Sequence, residues 1–199
     1  QKPDYTLMWQ ILLAVSVLFI FLAYRYRLIQ IYNTQLEMMA RQDQLTGLNN
    51  RRAVIEALTE NSAITDRYNR PLSLVFFDLD DFKHINDRFG HFEGDMVLKT
   101  VARILKDNCR QSDVSGRWGG EEFLIVLPES DLSQAAKSAE KIRLALEIHN
   151  FNPAIPYSIT GSFGVAQLVP GESIDSIIQR VDLALYQAKS AGKNCVCEA

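Results

Sequence analysis

The run Val114-Ser-Gly-Arg-Trp-Gly-Gly-Glu-Glu-Phe-Leu-Ile-Val-Leu-Pro128 sets two glycines and two carboxylates between a short strand-like stretch and an apolar one. It reads as a β-hairpin. Gly119 and Gly120 are expected to supply the positive φ of a tight turn, and without Cβ atoms they let a ligand's phosphates or ring approach the backbone. Alternation along the outgoing strand is expected to send Glu121 and Glu122 to opposite faces, so that only one points toward a site shared with another element.

Upstream, Ser73-Leu-Val-Phe-Phe-Asp-Leu-Asp80 is a near-continuous apolar run ending in acid. It reads as a central strand that delivers Asp78 and Asp80 to its end. Pairing with the hairpin would bring one Asp and one Glu together beside a glycine turn, which are hard oxygen donors suited to Mg²⁺ next to backbone open to phosphate. Each half alone has an ordinary explanation, since an acid ending a strand is commonly a cap or turn residue.

Asp78-Leu-Asp-Asp-Phe-Lys-His-Ile-Asn-Asp87, Phe89-Gly-His91, Gly94-Asp95 and Gly119-Gly-Glu-Glu-Phe123 resemble, in order and spacing, the GGDEF family of diguanylate cyclases. Asp43-Gln-Leu-Thr-Gly-Leu-Asn-Asn-Arg-Arg52 and Tyr186-Gln-Ala-Lys-Ser-Ala-Gly-Lys-Asn194 are similar to the family's two ends. The resemblance covers about residues 40 to 199.

The chain of 199 residues with 47% hydrophobic content accommodates one domain plus an appendage. A net charge of -3 gives no general attraction to nucleic acid, so phosphate binding has to be local and metal-assisted. Cys109, Cys195 and Cys197 form no zinc pattern with His84, His91 and His149, and read as reduced, incidental thiols.

Residues 7–24 are about 18 residues without a charge, flanked by Trp9 and Tyr24, and fit a transmembrane helix. Arg25 and Arg27 follow the apolar run, which opposes a signal peptide and puts the downstream chain in the cytoplasm, tethered to a bacterial inner membrane. Residues 1–6 are expected to end an extracytoplasmic region. Ile29, Tyr32, Leu36 and Met39 form a two-turn seam in a helical linker, 25–42, that can pair two copies. The catalytic domain is expected over 43–199: helix from Asn50 to Tyr68, strand from Ser73 to Asp80, helical segments from Phe82 to Cys109, the hairpin, helix from Leu132 to His149, strand from Tyr157 to Leu168, helix from Ile174 to Ser190 with Gly192 as cap, and a short strand near Asn194 to Cys197. That order fits an α/β (α+β) fold on a palm-like βαββαβ sheet.

The resemblance implies condensation of two GTP into cyclic di-GMP and pyrophosphate across a homodimer, with two Mg²⁺ or Mn²⁺ per active site. It implies Asp78, the Leu79 carbonyl and Glu121 as metal ligands, with Glu122 in the same acidic cluster. Lys83 and Lys193 are then phosphate contacts, Asn86 and Asp95 guanine readers, and Gly119 and Gly120 part of the substrate site. For Lys83 a solvated helix charge, and for Asp95 a helix cap, are the plain alternatives. Arg110 and Asp113 have the spacing of the family's inhibitory RxxD site for cyclic di-GMP, against an i, i+3 ion pair at a helix end. Thr46, Leu48, Asn49 and Arg52 look like an opening loop making structural or inter-subunit contacts; Phe123 reads as core, and His84 and His91 as structural. The signature reads GGEEF, which retains an oxygen ligand at its third position. The alternative from another class is a non-catalytic cyclic di-GMP receptor.

Overall fold

The computed structural model describes residues 5–39, 41–151, 155 and 158–199, excluding the side chains of 34–39 and 66. The chain divides into Gln1–Ala40 and Arg41–Ala199. The described residues of the first unit form one helix, α1 (Thr6–Met39), which runs through the expected span but stops short of the expected linker end at 42: Arg41 is not helical and Gln42 bridges to Asn49. Its stretch Thr6–Asn33 is long and apolar enough to cross a bilayer by length and composition, an 18-residue window within it having mean hydropathy 2.3. Its described side chains are exposed throughout, including Leu13, Phe19 and Ile20. The Leu36 and Met39 side chains of the pairing seam lie outside the described residues.

The second unit opens with β1 (Asn49–Asn50) and α2 (Arg51–Tyr68), then β2 (Leu72–Leu79), α3 (Phe82–Phe89) and α4 (His91–Asn108). The hairpin β3 (Val114–Gly119) and β4 (Glu122–Pro128) follows, then α5 (Leu132–Ile148), β5 (Gly161–Gln167), α6 (Ile174–Ser190) and β6 (Val196–Glu198). The six strands form one sheet in the order β1-β3-β4-β2-β5-β6. Its four middle strands are the antiparallel βαββαβ core anticipated above; β1 and β6 extend it by parallel pairing at the two edges.

β2 is buried along its whole length because helices cover both faces of the sheet. Val75, Phe77 and Leu79 join the core with α4 and α5, whereas Leu74 and Phe76 join a second core with α2 and α6. A strand sandwiched in this way has an unbroken apolar run instead of alternation. Phe77 stacks on Phe123 of β4 at 5.1 Å and on Phe163 of β5 at 4.6 Å between ring centroids. These cross-strand stacks pin the register, and the next pair along is Asp78 opposite Glu122. Register here therefore decides which carboxylates meet.

Helix ends follow local chemistry. Asn50 caps α2 by accepting from the Ala53 N–H, Asp131 and Gln134 form a reciprocal capping box on α5, and Ser173 caps α6. Two boundaries differ from the sequence expectation. The fifth strand begins at Gly161, residues 158–160 before it being non-strand and Tyr157 lying outside the described residues, and the last spans Val196–Glu198, beginning after Asn194 and Cys195.

Candidate functional site

The hairpin turn is tighter than its two glycines suggest. Gly119 pairs with Glu122, so the turn consists of Gly120 and Glu121 alone, and of the two glycines only Gly120, at φ 52°, has positive φ. The strand register shifts between Arg117 and Gly119, which places a bulge at Trp118. Glu121 therefore belongs to the turn and not to an alternating strand, which corrects the opposite-faces expectation. Both Glu121 and Glu122 act electrostatically on Asp78.

Asp78 emerges on the α2/α6 side of the sheet, where Lys189 of α6 lies 3.1 Å from its Oδ1. Burial pushes the Asp78 carboxyl up to about 6; Lys189 opposes this, and Glu121 and Glu122 add to it. Glu122 is also shifted upward, first by burial, with Lys189 and Arg51 opposing and Asp182 and Glu121 reinforcing. One ammonium among three carboxylates leaves the corner short of positive charge. The donor set fits a hard divalent cation: Asp78, Glu121 and the Leu79 carbonyl offer oxygen only. Among the described residues no three His, Cys, Asp or Glu side chains form a ready-made cage.

Asp80 has a different fate from Asp78. Its oxygens accept from Thr160 Oγ1 at 2.7 Å, Ser162 Oγ at 2.6 Å and the Asn194 N–H at 3.1 Å, which braces β2 to β5 and to the closing turn. The following Asp81 takes the Lys193 ammonium at 2.6 Å. Lys83 lies exposed in the first turn of α3. Asn86, on the same helix, abuts α4 so closely that a Cβ on Gly94 would sit 2.0 Å from its Oδ1, and Gly is the residue that fits. Asp95 follows Gly94 and is exposed within α4, which starts at His91 after Gly90; the helix-cap alternative for Asp95 falls. The structure thus brings Asp78, Leu79, Glu121 and Glu122 to one corner, Lys193 to its rim, and Asn86 against Gly94, the residue before Asp95, at the α3/α4 junction.

The opening motif locks the hairpin from the other side. Asp43 accepts from the Thr46 N–H and Oγ1 at 2.9 and 2.6 Å, and Arg117 reaches it at 3.3 Å while donating to the Gly120 carbonyl at 2.9 Å. Asn49 donates to the Ser115 carbonyl, and Arg52 pairs with Glu56 at 2.9 Å, a structural role as expected. Arg51 lies 4.4 Å above the Trp118 ring. Sequence reading missed Lys189, Arg117 and Arg51 as site neighbours. Lys189 had the best available signal, standing four residues before Lys193 inside the closing motif.

Arg110 and Asp113 lie beyond the end of α4 and close a turn: the Arg110 N–H donates to Asp113 Oδ2 at 2.7 Å, and the Asp113 N–H to the Arg110 carbonyl at 3.1 Å. The contact sits just past the end of α4 at Asn108 and is made by the Arg110 backbone, not by its guanidinium. Both residues line a cleft of about 260 Å³ with Lys137 and Lys141 of α5. Phe123 is fully buried, as expected. His84 and His91 are exposed on α3 and at the start of α4, His84 lining a cleft of about 470 Å³ with Asp80 and Asp81. Burial pushes the Cys109 thiol up to about 12 and Cys195 upward, so neither is a ready nucleophile.

Known proteins with this arrangement are numerous. Diguanylate cyclase DgcM of Escherichia coli (strain K12) is 42% identical over 170 residues, covering 83% of this chain and 40% of that protein; the chain thus spans well under half the length of that relative. The GGDEF domain of DgcB from Caulobacter crescentus, solved in complex with c-di-GMP, superposes with a TM-score of 0.76 at 34% identity, covering 80% of this chain and 95% of that one. The active GGEEF domain of a diguanylate cyclase from Vibrio cholerae gives a TM-score of 0.72 at 38% identity, over 75% and 96% of the two chains. The family model described as "Diguanylate cyclase, GGDEF domain" matches residues 40–195, and on that match the chain belongs to the GGDEF domain family.

Proposed function

We propose that this chain is a membrane-tethered diguanylate cyclase that condenses two GTP into cyclic di-GMP and pyrophosphate, one nucleotide held by each domain of a homodimer. The observation that carries the reading is the intact acidic corner, in which burial beside Glu121 and Glu122 pushes the Asp78 carboxyl up to about 6 against the pull of Lys189 at 3.1 Å. The names of the relatives, the cyclic di-GMP bound to the DgcB domain and the active GGEEF domain of Vibrio cholerae support it.

Two Mg²⁺ or Mn²⁺ ions, held by Asp78, the Leu79 carbonyl and Glu121, would supply the charge that gathers a triphosphate and lowers the pKa of a 3′-hydroxyl. Gly120 lets phosphate approach the turn without a side chain in the way. Lys83, Lys193 and Lys189 neutralise phosphate charge from three directions. At the α3/α4 junction the Asn86 amide meets the acceptors of guanine, while the Asp95 carboxylate takes its N1–H and N2–H₂ donors. Glu122 stays in the acidic cluster beside the turn. Arg110 and Asp113 bind cyclic di-GMP as inhibitory product, the guanidinium gripping phosphate, with Lys137 and Lys141 adding positive charge across the cleft. α1 crosses the inner membrane, Arg25 and Arg27 marking its cytoplasmic end.

The test is GTP turnover by the full chain in detergent micelles with Mg²⁺, products separated by chromatography. Cyclic di-GMP is expected from the wild type, none from Glu121→Ala, and a later onset of product inhibition from Arg110→Ala. A dimeric, GTP-saturated wild type that makes no product, yet binds cyclic di-GMP at Arg110, would replace the enzyme reading with a receptor.

A further inference from the structure

The closing turn is an unlikely conformation on its own. Gly192, Lys193 and Asn194 have φ of 116, 65 and 47°, three consecutive residues in the left-handed half of backbone space, where a lysine is disfavoured. Such a turn persists only where its surroundings over-determine it. On one side the Asn194 N–H donates to Asp80 Oδ2 at 3.1 Å and the Lys193 N–H to the Ala188 carbonyl at 3.1 Å. On the other side lies a guanidinium from a different element. Arg143 of α5, its side chain only 11% exposed, directs Nη1 to Asn194 Oδ1 at 2.7 Å and to Glu147 Oε2 at 2.9 Å, while Glu147 Oε1 accepts from Asn194 Nδ2 at 2.9 Å. Its Nε and Nη2 hold both oxygens of Glu140 at 2.8 Å, which fixes the plane of the fork.

We propose that Arg143 is a positioning residue of the nucleotide site: by clamping the Asn194 amide it holds the strained turn against Asp80 and so keeps the Lys193 ammonium, which rests on Asp81 Oδ1 at 2.6 Å, where an incoming phosphate can take it. The geometry supports this in two ways. The Arg143–Glu147–Asn194 triangle uses both ends of the Asn194 amide, so the side chain has one orientation. The same residue's N–H reaches Asp80, which in turn ties β2 to β5 immediately after the metal-ligand residues Asp78 and Leu79. A helix-surface ion pair with Glu140 alone would need neither contact. Lysine cannot replace the fork, because a single ammonium lacks the planar set of donors that reaches Glu140, Glu147 and Asn194 together.

The inference rests on the nucleotide reading of the site, and its test separates the two. In the full chain, Arg143→Ala is expected to lower kcat/KM for GTP by about 10- to 100-fold, as outer-shell residues do, and Arg143→Lys to recover little of it. In a Lys193→Ala background the same Arg143→Ala change is expected to cost less than about twofold, because the group it positions is gone. Hydrogen exchange is read in parallel on the peptide covering residues 190–197, expected to quicken about tenfold or more in Arg143→Ala while the α6 peptide 174–186 keeps its rate. Asn194→Ala should reproduce both effects without adding to Arg143→Ala. Undiminished loss in the Lys193→Ala background, or unchanged exchange at 190–197, overturns the proposal. A wild type that makes no cyclic di-GMP overturns the cyclase reading instead, and the exchange measurement still decides the clamp.

Discussion

The two ends of α6 carry two carboxylate–cation sites with opposite character. At its start, Glu172 accepts from Arg180 Nε at 2.8 Å and Nη2 at 2.7 Å, from Ser176 Oγ at 2.9 Å and from the Val169 N–H at 3.0 Å, and these partners hold its carboxyl down at about 2. At its end, Asp78 has Lys189 at 3.1 Å and two like-charged neighbours, and its carboxyl is pushed up to about 6. Both carboxylates sit against the same helix. The first is satisfied and stabilises the fold; the second is left wanting a cation, which is the condition of a site prepared for metal and phosphate.

The largest way to break this contrast is Asp78→Asn. Turnover is expected to fall by on the order of 10²- to 10³-fold, yet the metal-free protein at neutral pH should melt a few degrees higher, because a neutral amide removes a charge that the fold penalises. A thermal scan and a turnover assay on the same preparation check both halves; a lower melting temperature would show Asp78 to be a net stabiliser. Next in size is Arg180→Ala, which strands the nearly buried Glu172. A loss of about 2 kcal/mol, lowering the melting temperature by roughly 4–8 °C, is expected with kcat for GTP unchanged per folded molecule.

The pH dependence of the two sites sharpens the comparison. Glu172, lowered from an ordinary 4.5 to about 2, contributes stability that is present above 4.5 and is lost as pH falls toward 2. Asp78, raised from 3.8 to about 6, contributes stability that is complete below 3.8 and is lost as pH rises through 6. Metal-free melting temperature should therefore decline as pH climbs from about 4 to about 6 and level off above that, and Mg²⁺ should restore it. The apparent Mg²⁺ affinity should weaken about tenfold per pH unit below 6, since the ligand must first lose its proton. The smallest effect belongs to Arg70→Ala: its pair with Glu129 is exposed on both sides, and removing it should change stability by less than about 0.5 kcal/mol.

Much of the fold was legible in advance because its signals are local. The apolar run before Asp78 announced a central strand, and the helix from Ile174 to Ser190 has the expected ends. That Asp78 would meet the hairpin was legible too, since a strand ending in acid and a glycine hairpin can meet in few ways; strand alternation allowed only one of Glu121 and Glu122 there, and the second came in through the resemblance. The errors were also local in origin: two adjacent glycines suggested two positive φ values, where the bulge at Trp118 leaves the need to Gly120 alone.

What sequence by itself determined is the order of elements, the chemistry offered at their ends and the family to which that pattern belongs. Tertiary structure decided which charges are satisfied. Asp78 and Asp80 stand two residues apart with the same side chain, and nothing near them in sequence says that Asp80 meets Thr160, Ser162 and Asn194 while Asp78 meets Glu122 and Lys189. These partners lie some 40 to 115 residues along the chain. A carboxylate's proton affinity is set by burial and by charges within a few ångströms, and only the packed sheet, with α5 and α6 laid across its two faces, determines what those are.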